Sequence, residues 1–142
     1  MLIPNDKLWE SDRILMVQNT TDWEKDDASV MTDCALNMVK AHLEEASLAG
    51  DGLILIIDLT CGDFPPWTQV LRIVKFFVTM RSLLISGLTC TVIYTKTSNQ
   101  KTWIDRVLNL YSHARPVHVV ETKESIKDIV ASYRKPVEAR AR

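Results

Sequence analysis

Apolar residues recur along this chain with two different periods, and the alternation between them divides it into elements. Over residues 28–49 the apolar positions Met31, Ala35, Met38, Val39, Leu43 and Ala46 follow helical spacing, and Gly50 follows as a C-cap. This predicts an amphipathic helix with Glu44 and Glu45 facing water. Residues 52–59 (GLILIIDL) are an almost unbroken run of Leu and Ile ending at Asp58. Such runs mark strands covered on both faces, as in parallel sheets flanked by helices. Residues 60–68 (TCGDFPPWT) form a loop, with Pro66 suited to the first turn of the next helix. That helix is predicted over 67–86. Its polar positions Thr68, Arg72, Lys75, Thr79, Ser82 and Ser86 form one narrow stripe. The apolar arc covers roughly two-thirds of the circumference, far more than a surface helix needs.

Gly87 ends this helix, and 89–95 (TCTVIYT) is a β-branched strand. A helix is predicted over 100–112, with Trp103, Val107, Leu108 and Tyr111 inward, then a short strand over 116–121. Thr122 is a good N-cap for a final helix whose inward face is Ile126, Ile129, Val130 and Tyr133. Near the N-terminus, Leu2-Ile3 and Leu8-Trp9 are short strand candidates, and 13–18 (RILMVQ) is a longer one, so the chain opens with a hairpin. Residues 19–27 read as a loop. The order is β-β-α-β-α-β-α-β-α. It predicts an α/β fold with a small mixed, mainly parallel sheet joined by right-handed crossovers. Residues 1–135 read as a single domain, and 136–142 as a flexible tail after Pro136.

Composition narrows the function classes. The 142 residues carry 17 Lys+Arg against 18 Asp+Glu, a net charge of −1 that offers no footprint for nucleic acid. The apolar stretch 70–88 contains Arg72, Lys75 and Arg81, too many charges for a transmembrane segment. No signal peptide is evident, so a cytoplasmic protein is expected. The three cysteines, Cys34, Cys61 and Cys90, are odd in number and widely spaced, unlike a disulfide framework or a zinc site. His42, His113 and His118 show no metal-ligand spacing and read as structural. No phosphate-cradling glycine loop, dinucleotide fingerprint or nucleophile elbow occurs. No metal or cofactor is expected.

The element order, Ile57-Asp58-Leu59, the segment from Ser86-Gly87-Leu88 through Tyr94, and 122–130 (TKESIKDIV) together resemble the STAS domain of anti-sigma-factor antagonists. The similarity covers about residues 13–133. It implies a non-catalytic regulatory module that binds another protein or a second copy of itself. The family's phosphorylatable Ser lies in an Asp-Ser-Ser-Gly segment. Here Pro66-Trp67-Thr68-Gln69 stands in its place, and only Thr68 keeps a hydroxyl, making it the candidate phosphoacceptor. The strand ending in Ile56-Ile57-Asp58-Leu59-Thr60 and the apolar helix after it also resemble the CRAL-TRIO (Sec14-like) lipid-binding domain and its SpoIIAA-like relatives. That resemblance implies a carrier of lipid or another small apolar ligand.

The candidate chemistry gathers after the strand that ends at Asp58, where open α/β sheets bind ligands. Asp58 itself either serves a site or caps a neighbouring turn. Cys61 with His113 or His118 could form a nucleophilic pair, but no local signature surrounds it. Phe64 and Trp67 flank two prolines, a stiff aromatic anchor suited to a protein surface. The expected contact set is Asp58, Thr60, Asp63, Phe64, Trp67 and Thr68, with no catalytic residue. An apolar-ligand carrier whose second helix lines a pocket is the alternative.

Overall fold

The computed structural model describes residues 2–4, 14–18, 27–60, 65–96, 98–109 and 115–133. Among the described residues five strands form one sheet in the order β1-β2-β3-β4-β5: β1 Leu2–Pro4, β2 Ile14–Gln18, β3 Leu53–Asp58, β4 Leu88–Tyr94 and β5 Val117–Val120. The first pair is antiparallel, and the four strands β2 to β5 are all parallel. Among the described residues the helices are α1 Ala28–Ala49, α2 Trp67–Thr79, α3 Arg81–Gly87, α4 Ser98–Leu108 and α5 Lys123–Tyr133. The fold is therefore mixed α/β, as the alternating pattern predicts. Leu8-Trp9, the loop before α1 and the C-terminal tail lie outside the described residues.

Each parallel strand lies beside its predecessor in the chain, so right-handed crossovers stack their helices on one face. On that face Val39, Leu43 and Ala46 of α1 and Leu84 of α3 pack on Leu15, Leu53, Leu55 and Leu88. The opposite face is covered by α5, whose Ile126 and Val130 pack on Ile54, Ile56, Cys90 and Val92. β3 is thus covered on both sides, which explains its continuous Leu/Ile run. An irregularity between β3 and β4 pairs Leu53 with Leu88 but Ile54 with Cys90, leaving Thr89 as an extra residue. The extra residue sends Leu88 and Cys90 to opposite faces, which strict alternation would not allow.

Local capping follows the sequence closely. Asp27 accepts a hydrogen bond from the Val30 N–H at 3.1 Å at the start of α1, and Gly50 ends the helix at φ 72°. Thr122 caps α5 by accepting from the Ser125 N–H at 3.1 Å. Four expectations are corrected. The helix expected over 67–86 is two helices, because Met80 leaves helical geometry (φ −92°, ψ 21°) and re-aims α3 onto α1. There Gly87 packs so closely that a Cβ would sit 2.6 Å from the Leu43 carbonyl oxygen, and the Ser47 hydroxyl donates to Ser86 Oγ at 2.8 Å. Second, Met38 is 45% exposed, since the inward face of α1 runs through Thr32, Val39, Leu43 and Ala46. Third, α4 is Ser98–Leu108, starting two residues before the expected Gln100, and Tyr111 lies outside the described residues. Pro66, moreover, is the residue before α2 rather than within its first turn.

Candidate functional site

The carboxyl ends of β2, β3 and β4 bring Gln18, Asp58 and Tyr94 side by side. Asp58 is buried, and its carboxylate is used locally. One oxygen accepts the Thr60 N–H at 2.8 Å and the Thr60 hydroxyl at 2.5 Å, closing the turn after β3. The other lies 3.5 Å from the Gln18 side-chain amide. Of the expected contact residues, Asp58 and Thr60 therefore form one turn, and Trp67 and Thr68 sit exposed at the start of α2. Asp63 and Phe64 lie outside the described residues, as do Cys61 and His113. His118 meets the Tyr133 hydroxyl at 2.9 Å across the sheet and α5, a structural contact. Cys34 and Cys90 are free thiols. Among the described residues no group of His, Cys, Asp or Glu could hold a metal ion, and no helix is long and apolar enough to cross a membrane.

What the strand ends do present is apolar space on both sides of α2. One cavity, of about 120 Å³, lies between α2, the sheet and α4, with Ile93 below and Ile104 and Val107 opposite. The other, of about 100 Å³, lies between α2, the sheet and the first half of α1, lined by Met31, Ala35 and Val39. Ile57, Leu59, Pro65, Ile73 and Phe77 line both. The two spaces therefore share a wall to which α2 gives Ile73 and Phe77, and β3 with the segments flanking the loop after it gives Ile57, Leu59 and Pro65. Family models, curated proteins and solved structures were each compared with the chain, and none matches.

Polar groups touch this space sparsely. Gln18 and Thr32 line the α1-side cavity, and Thr91 and Arg115 the α4-side one. Arg115 is tied to the Ile85 carbonyl. Arg72, one residue before Ile73, ion-pairs with Asp33 and donates to the Ser29 carbonyl at 3.2 Å, clasping α2 to α1. Gln69 is buried beside it and accepts from Arg72 at 3.0 Å. The cavity residues on α1 and α4 are missed by reasoning from motifs, because nothing chemical marks them. One signal was present: Thr32 is a polar residue in register with Leu36, Val39, Leu43 and Ala46 on the inward face.

Proposed function

We propose that this domain binds a small apolar ligand in the paired cavities flanking α2, in the manner of a carrier or sensor. The observation that carries this reading is the shared apolar wall of Ile73 and Phe77 with Ile57 and Leu59 at the carboxyl end of β3. Open α/β sheets place ligands at that end, and small-molecule sites are concave, mostly apolar and supplied with few polar groups. A closed apolar cavity of about 150 Å³ holds benzene, and these two spaces, about 120 and 100 Å³ and partly open, have somewhat less room. The wide apolar arc of α2 gains a purpose here beyond packing. The CRAL-TRIO-like strand and helix favour the same reading.

Native mass spectrometry of protein purified from its own host tests it. A retained apolar molecule is expected, and Ala35→Phe, which projects into the α1-side cavity, should reduce its occupancy. A bare chain that also takes up no added apolar probe would overturn the reading.

A second reading, the STAS-like interaction module, is favoured by a separate observation. Trp67, Leu71 and Val78 are exposed along α2 at spacings of four and seven, which place them near one line. A partner protein or a second copy would cover them, with Trp67 as anchor and Thr68 as the candidate phosphoacceptor beside it.

A further inference from the structure

Thr32 carries the next step. The residue is 4% exposed, and its hydroxyl has no hydrogen-bond partner among the described residues. A helical Thr normally satisfies that hydroxyl on the carbonyl one turn earlier. Leaving it buried and unpaired is unfavourable, and such a group in a native fold calls for an explanation. Thr32 lines the α1-side cavity, where the other polar side chain among the described residues is Gln18. Among the described residues no Lys, Arg or His lines that cavity, so none of them would offset a charged end group buried there.

We infer that the α1-side cavity takes an uncharged amphiphile, an apolar body with a single alcohol, carbonyl or amide end, and that the Thr32 hydroxyl bonds that end. This rests on the ligand-binding reading above and adds the ligand's polarity, charge and orientation. The apolar body lies against Ala35, Ile73 and Phe77, and the polar end points at α1.

The test compares phenethyl alcohol with ethylbenzene, two probes of similar shape that differ by one hydroxyl. Both are titrated into the full chain and followed by amide chemical shifts. Thr32→Val keeps the side-chain shape and should weaken phenethyl alcohol about fivefold, the effect of one ordinary hydrogen bond, while ethylbenzene stays within about twofold. Thr32→Ser restores the hydroxyl and should return the ratio of affinities to that of the unsubstituted chain. If both probes bind but the ratio is unmoved by Thr32→Val, the assignment of Thr32 falls and the ligand-binding reading stands. If neither probe shifts cavity amides in the unsubstituted chain at millimolar concentration, both fall together.

Discussion

Cys90 shows how one residue's surroundings set its chemistry. It sits on β4 between α5 and the sheet, fully buried, and burial pushes its thiol up to about 11. Tyr133, its neighbour on α5, is raised as well, first by burial and then by the Cys90 charge. A thiol with a native pKa above its unfolded value stabilises the fold fully below the unfolded value. That contribution is lost as pH rises from about 9 towards 11. Denaturation curves between pH 8 and 11 should therefore fall more steeply for the unsubstituted chain than for Cys90→Ala. The difference should be on the order of 2 kcal/mol, and equal slopes would refute the assignment. Iodoacetamide at pH 8 should label exposed Cys34 and spare Cys90, read by peptide mass spectrometry. At this scale the sequence was partly legible. Asp58 was recognisable as a strand-end carboxylate, but its use as a turn cap depends on the Thr60 hydroxyl folding back onto it. Thr32 stands out in the sequence only as a polar residue on the inward face of α1, because its significance lies in what it fails to contact.

At the scale of elements, periodicity and capping were sufficient for α1, whose bounds match the sequence reading to the residue, and for α5. They were insufficient for the helix after β3, because Met80 is neither Pro nor Gly and gives no local sign of a break. The break answers to tertiary packing. It lets α3 lie across α1, with Gly87 against the Leu43 carbonyl. Gly87→Ala should therefore cost about 1–3 kcal/mol by urea denaturation, since the obstructing atom is backbone and cannot rotate away. A change below a few tenths of a kcal/mol would show that the two helices part easily. The same packing explains the inward face of α1. Met38 fits a helical repeat on paper, but α3 meets the helix along Val39, Leu43 and Ala46, leaving Met38 at the surface.

For the whole molecule, the alternation of strands and helices was enough to read the α/β class and the parallel pairing. The cavities were not legible, because they arise where three helices and the sheet fail to close fully, a property no segment holds alone. The same limit separates the two functional readings. They use opposite faces of α2: Ile73 and Phe77 inward, Trp67, Leu71 and Val78 outward. Leu71→Glu with Val78→Glu should leave probe uptake unchanged and abolish any self-association seen by analytical ultracentrifugation. Loss of probe uptake instead would show that the outer line is coupled to the cavities.

The strand order has a consequence for how the chain is made. Every strand from β2 onward docks on the one synthesised just before it, so the sheet can lengthen one edge at a time as the polypeptide leaves the ribosome. Each newly added strand is briefly the growing edge, open to the next segment and to a neighbouring nascent chain. The last edge, β5, is only four residues long, a poor template for further growth. Among the described residues, the helix that covers the face bearing Ile54, Ile56 and Val92 is α5, the last element made. Synthesis halted before residue 123 would thus release a chain with its sheet assembled and one side of it sticky, a substrate for chaperones rather than a smaller version of the protein.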